Sequence, residues 1–384
     1  MNSGGSRAEA ADGPSGASTA DLAGGAARTR KARRYGRLRP GDRVVVVAPS
    51  GPVDAARLET GCAVLRDLGL DTVVAKHALD LVNLGPDHAA MGTVRDDWYR
   101  LAGTDADRAA DLQDAWCDPR VQAVICARGG YGATRVLDHL DWELLAAATA
   151  ADEESGRGPT ILHGSSDITA LHAAFGARLG VTTSFGPMPT GVIADLAPAV
   201  SQDMPDERLH GLRAALFGGP VTLPGTHVLR PGRAEGPLTG GTLSLLTALL
   251  GTPYAPPPAA GHIVFLEDVT EAPYRVDRML VQLVQSGWFD GAAGIALGSW
   301  RDCGDPAELD AVFTARLGPL GVPMLAGVPV GHGPRQRTLE LGAPAVLDTG
   351  KVHKVHITVP ETGPDPAVPD VGALTLHALP GGSR

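Results

Sequence analysis

The chain is short of the features that would settle its class at a glance. Four cysteines, Cys62, Cys117, Cys126 and Cys303, are spread over 384 residues in no C-x-x-C or Cys/His spacing, and a chain this long needs no disulfide framework. They are expected as buried thiols of a reducing compartment. No apolar run approaches the length of a bilayer span, and the first residues lack a signal peptide's order of basic, apolar and small-residue segments. No membrane partner is therefore expected, and residence is expected to be cytoplasmic. A surplus of positive charge is missing too. The formal charge of −10 argues against a nucleic acid bound by phosphate neutralisation and leaves a small molecule or peptide as the default substrate. There is no internal repeat or heptad series.

What is present is a globular composition, 43% apolar, sufficient for roughly two domains. Residues 1 to about 28 are Gly, Ala, Ser and Asp with almost no large apolar side chain, so they cannot offset their own ordering entropy. Together with the basic RTRKARRYGRLRP, read as a solvated lead-in rather than an anion-binding patch, they make up a disordered N-terminal extension, residues 1–40. From Arg43 the pattern alternates. RVVVVAPSG reads as a buried strand closed by a loop, a helix follows with Leu58, Cys62, Leu65 and Leu68 in register, and DTVVAKHA is the next strand. A helical region over Asp96 to Trp116 precedes the strand VQAVICA; ARGGYG interrupts before ATRVLDHL, and TILHG is a strand leading into the helix DITALHAAFGARLG. This alternation predicts an α/β domain with a largely parallel sheet over 41–190. Residues 191–236, rich in Pro and Gly, are expected to link it to a smaller, β-rich α/β domain over 237–360, and 361–384 to form a loose tail.

Four stretches could carry chemistry. In LHGSSDITALH a strand, a small-residue turn bearing Ser165 and Ser166, and an immediate helix reproduce the geometry of a nucleophile elbow, although the stretch is not G-x-S-x-G. The same residues serve equally as a helix N-cap, and nothing local separates the two serines. ARGGYG offers flexible backbone N–H groups to an anion, as a phosphate loop, an oxyanion hole or simply a tight turn, without matching either nucleotide-binding glycine pattern. HIVFLEDVTEAPYRVDRML places Glu267 and Asp268 at a strand's carboxyl end, where α/β layers commonly open their clefts, with Glu271, Arg275, Asp277 and Arg278 following. In PVGHGPRQRTLELG, His332 is the one histidine of twelve flanked on both sides by glycine, on backbone of the irregular kind that carries functional groups. His353 and His356 are three apart on an expected strand, hence on opposite faces, and make a poor metal pair. A serine, a histidine base, a carboxylate and backbone donors could assemble into one acyl-transfer site, but spacing alone does not bring them together.

Taken in order, LAGTDADRAADLQDAWCDPRVQAVICARGGYGATRVLDHLDW, HGSSDITALH, GGTLSLLTALLGTPY, FLEDVTEAPYRVDRMLVQL and GVPVGHGP resemble the LD-carboxypeptidases, serine peptidases that include muramoyl-tetrapeptide carboxypeptidases and microcin C self-immunity peptidases. The resemblance runs from about residue 41 to 345. It implies an active site between the two domains, a nucleophile at Ser166, a triad acid at Glu267 and a base at His332. It further implies an oxyanion hole from the N–H groups of Asp167 and Gly130, no cofactor or metal, a murein tetrapeptide or related peptide as substrate, and a homodimer. Cleavage of aminoacyl-nucleotide amides and non-catalytic ligand binding are the alternatives within the fold. Two positions depart from the usual pattern, Phe185 in SFGPM where many members have His, and Thr242 in GGTLS where many have Asn. Both are expected near the cleft.

Overall fold

The computed structural model describes residues 32–83, 100–202, 204–219 and 221–350, and the backbone of one further strand, Lys354–Ile357. Two sheets organise it. The first has six strands in the order Leu339–Leu341, Thr183–Phe185, Ile161–Gly164, Val121–Cys126, Arg43–Val47 and Asp71–Val74. All neighbouring pairs are parallel except the outermost, where Leu339–Leu341 runs antiparallel to Thr183–Phe185. Its central strands, Arg43–Val47, Val121–Cys126 and Ile161–Gly164, are mostly apolar and buried, as a parallel sheet covered on both faces requires. Val44, Val46, Ala123 and Ile125 enter one core while Val47, Val124 and Cys126 enter the other.

The second sheet has eight strands, with Arg233–Thr242, Ile263–Val269, Gly294–Arg301 and Met324–Ala326 parallel in its centre and antiparallel pairs outside them. Val264, Leu266, Ile295 and Leu297 face the helices Pro273–Gln285 and Pro306–Leu317, while Phe265 and Ala296 fill the opposite side. The helix Pro273–Gln285 buries Val276, Leu280 and Leu283, the stripe that its sequence spacing prescribes. The architecture is thus α/β in both lobes, with the larger share of parallel pairing in the first.

Three stretches differ from expectation. Residues 32–40 are folded rather than part of a disordered extension: Tyr35 is buried with its N–H on Thr182 Oγ1, Arg34 pairs with Glu340, and Leu38 N–H bonds to Leu216 O. The expected connection 191–236 is itself structured. Its helix Glu207–Phe217 packs Leu209, Leu212 and Leu216 into the first lobe, and its strands Val221–Pro224 and His227–Arg230 form the two edges of the second sheet. Of the helix expected over Asp96 to Trp116, residues 96–99 lie outside the described residues and Arg100–Leu101 form a short strand; the helix Asp105–Cys117 starts after Gly103, which takes a positive φ of 90°, and Thr104, which caps it by accepting from Asp107 N–H. Residues 1–31, His353, the side chain of His356 and the tail from 361 lie outside the described residues.

The lobes are joined by more than the chain. Thr242 N–H bonds to Thr169 Oγ1 at 3.1 Å, and the Arg178 guanidinium stacks over both Trp142 and Tyr254 at 5.0 and 4.7 Å. The strand Leu339–Leu341 belongs by sequence to the second half but by hydrogen bonding to the first sheet. The loop that carries His332 therefore runs from one sheet to the other.

Candidate active site

The strand Ile161–Gly164 ends in a sharp turn at which Ser166 takes a left-handed backbone, φ 63°, and the helix Thr169–Leu179 starts within three residues. A non-glycine residue in that region marks a constrained turn. The turn raises Ser166 Oγ off the strand end, 2.9 Å from His332 Nε2. His332 Nδ1 is 2.7 Å from Glu267 Oε2, which the His332 backbone N–H also approaches at 3.3 Å. The serine thus comes from the first lobe, the glutamate and histidine from the second. Two glycines make this approach possible: a Cβ on Gly129 would stand 2.8 Å from Ser166 Cβ, and one on Gly331, where φ is 108°, 2.4 Å from Glu267 Oε2.

Glu267 is 0% exposed. Its second oxygen is not left bare, since the Thr242 hydroxyl donates to Oε1. Burial is the strongest influence on His332 and works against its cation, but the hydrogen bond and charge of Glu267, joined by the charge of Asp268, outweigh it and raise the imidazole pKa above its ordinary value. The ring is therefore oriented at Nδ1 and presents Nε2 to the hydroxyl, which fits it to take a proton from serine.

Comparisons with known proteins show the family. Residues 44–186 match the LD-carboxypeptidase N-terminal domain and residues 235–347 the LD-carboxypeptidase C-terminal domain. A Streptomyces coelicolor protein named "Putative carboxypeptidase" is 48% identical over 83% of this chain and 94% of its own length. The murein tetrapeptide carboxypeptidase of Pseudomonas aeruginosa is 33% identical over 81% and 94% of the two chains. The crystal structure of muramoyltetrapeptide carboxypeptidase from Oxalobacter formigenes superposes with a TM-score of 0.64 at 26% identity, covering 82% of this chain and 97% of that one. The chain belongs to the LD-carboxypeptidase family.

The other residues singled out in the sequence of this LD-carboxypeptidase take other places in the structure. Asp268 points to the opposite side of the strand from Glu267, as strand alternation demands; its two oxygens accept from Ser244 N–H and Val269 N–H at 2.8 Å each, and burial pushes its pKa up to about 6. Glu271 pairs with Arg275 at 3.5 Å and Asp277 with Arg316 at 2.5 Å. Ser165 is the buried neighbour whose hydroxyl accepts from Gln336 Nε2 at 3.1 Å and makes no capping bond. His163 and His172 are fully enclosed, and burial lowers both to about 4. Gly130 lies in the loop beside Ser166 with φ 117°. Among the described residues, its N–H donates to no protein acceptor.

Of the two departures, Thr242 is in the site as the partner of Glu267, whereas Phe185 is 0% exposed, packed between His172 and Phe265 at ring distances of 5.7 and 5.4 Å. Phe185 thus fills the core rather than lining an open cleft. The sequence reading missed Gln336 and Arg108. Gln336 stands four residues beyond His332 and could have been suspected from that; Arg108 carries no local signal, being one cation in a charged helix until the fold buries it. Among the described residues, no group of three or more His, Cys, Asp or Glu is placed to hold a metal ion.

Proposed function

We propose that the protein is a serine-type carboxypeptidase that hydrolyses an L,D-peptide bond and releases the C-terminal D-alanine of murein tetrapeptides in cytoplasmic cell-wall recycling, with Ser166, His332 and Glu267 as its triad. The observation that carries the reading is the continuous hydrogen-bonded path from Ser166 Oγ through His332 to Glu267, at 2.9 and 2.7 Å. His332 Nε2 takes the hydroxyl proton as Oγ attacks the carbonyl carbon, and Glu267 stabilises the imidazolium that forms. The oxyanion is received by the N–H groups of Asp167 and Gly130. Collapse of the tetrahedral intermediate breaks the C–N bond, the imidazolium gives its proton to the departing D-alanine amine, and a water activated by the same nitrogen hydrolyses the ester.

The test is chromatographic release of D-alanine from murein tetrapeptide, run beside an aminoacyl sulfamoyl adenosine to separate the murein reading from amide detoxification. Wild-type protein is expected to release D-alanine from the tetrapeptide, and Ser166→Ala to lose at least about a thousandfold in rate. Wild-type turnover by Ser166→Ala would sink the serine mechanism; turnover of the adenosine conjugate alone would sink the murein assignment.

A further inference from the structure

Three loops leave neighbouring strands at the carboxyl edge of the first sheet, residues 49–51, 128–133 and 165–167, and a buried network ties them together. Asp167, beside the serine and 3% exposed, uses Oδ2 to accept from Ser50 Oγ at 2.7 Å and from Ala133 N–H at 2.8 Å. Arg108 is 1% exposed; its Nη1 donates to Pro49 O and, at 3.0 Å, to Gly132 O, while its Nη2 pairs with Asp105. The Gly132–Ala133 peptide is therefore gripped at both poles, its carbonyl by a buried guanidinium and its N–H by a buried carboxyl oxygen. Gly132 has φ 113°, and a Cβ there would stand 2.9 Å from Arg108 Nη1, so the grip requires the glycine. At its other end the loop is fixed where Gly51 N–H bonds to Gly129 O at 3.3 Å.

Buried ionic groups are poor contributors to stability, because desolvation consumes most of the attraction. What they supply here is a single arrangement. The segment between the two fixed ends holds three glycines, Gly129, Gly130 and Gly132, which left alone would sample many backbone states. An oxyanion hole is effective only when its donors are already in place at the moment charge develops.

We propose that Asp167 and Arg108 are positioning residues that, by holding the Gly132–Ala133 peptide from opposite ends, fix the Gly129–Gly130 backbone beside Ser166. The inference rests on the reading of Ser166 as nucleophile and concerns the Asp167 side chain, whereas the oxyanion role belongs to its backbone N–H.

Asp167→Asn keeps the size and an acceptor for Ala133 N–H but removes the charge opposite Arg108; Ser50→Ala removes one support of the carboxylate and nothing else. Both are compared with wild type for kcat and KM on the tetrapeptide, for affinity toward a boronic-acid analogue that becomes tetrahedral on Ser166, and for melting temperature. For Asp167→Asn, kcat and analogue affinity are expected to fall together by about ten- to a hundredfold, less than the loss of a whole oxyanion donor, with KM within about twofold. Ser50→Ala should show the same pattern at smaller size, and it decides the question should Asp167→Asn fail to fold. A lowered melting temperature with kcat and analogue affinity at wild-type values would overturn the proposal and leave a purely structural network. Ser166→Ala, assayed in parallel, separates the failures: if it is inactive while the two variants are normal, only the positioning role falls; if it is active, the nucleophile reading falls first.

Discussion

His332 is held by opposing influences, and that opposition makes its behaviour testable. Proton abstraction needs a neutral imidazole, so kcat/KM falls as pH drops through the His332 pKa, which Glu267 holds above the ordinary value against burial. In Glu267→Gln the carboxylate is gone and burial, aided by Arg301 and opposed by Asp268, is left as the strongest influence. The acid limb of the kcat/KM profile should then move to lower pH, while kcat drops by about 10³–10⁴-fold because the ring loses its tautomer and its counter-charge. An acid limb that stays put or moves upward would contradict the account. Gly129→Ala tests the crowding at the serine: its Cβ, 2.8 Å from Ser166 Cβ, must displace the turn, and displacement of that order costs about a hundredfold in kcat. At this scale the sequence was informative about residue types. A serine on a tight turn, a histidine between glycines and a carboxylate at a strand end were visible in it, and the fold holds these three in contact. Gln336, Thr242 as a partner of Glu267, and the burial of Arg108 were invisible because each depends on which distant backbone faces it.

At the scale of elements, Asp268 joins the strand Ile263–Val269 to the start of the helix Leu243–Leu249 through Ser244 N–H. Its pKa, about 6 in the fold against about 3.9 for an unperturbed aspartate, means that the native state holds the proton more tightly than the unfolded chain. Stability from this group is thus greatest below about pH 4 and is lost as pH rises through 6. The difference in unfolding free energy between wild type and Asp268→Asn, followed by urea melts from pH 4 to 7, should accordingly shift toward the variant as pH rises; a difference independent of pH would refute it. The stack of Arg178 on Trp142 and Tyr254 is exposed, so Arg178→Ala should lower stability by only about 0.5–1 kcal/mol in the same melts. Most elements were legible because their periods were clear, as in the apolar stripe of Pro273–Gln285. The segment 191–236 was not, since its strands are four residues each and gain their identity as sheet edges from partners far away in sequence.

For the whole molecule, alternation of strand and helix predicted two α/β lobes but not the return of Leu339–Leu341 to the first sheet. Three residues carry no sign of which sheet they will join; their antiparallel match to Thr183–Phe185 is decided only once both lobes exist. This pairing, with the Thr242–Thr169 bond, couples the lobes, and scanning calorimetry should show one transition with calorimetric and van't Hoff enthalpies in a ratio of about one. Two resolved transitions would mean that the lobes fold independently.

The shared strand also limits how the enzyme can handle a peptide. A jaw that opened between serine and histidine would have to peel Leu339–Leu341 from its neighbour, because the histidine loop is moored in both sheets. The pairing thus acts as a clasp that holds the Ser166 turn and the His332 loop in one register.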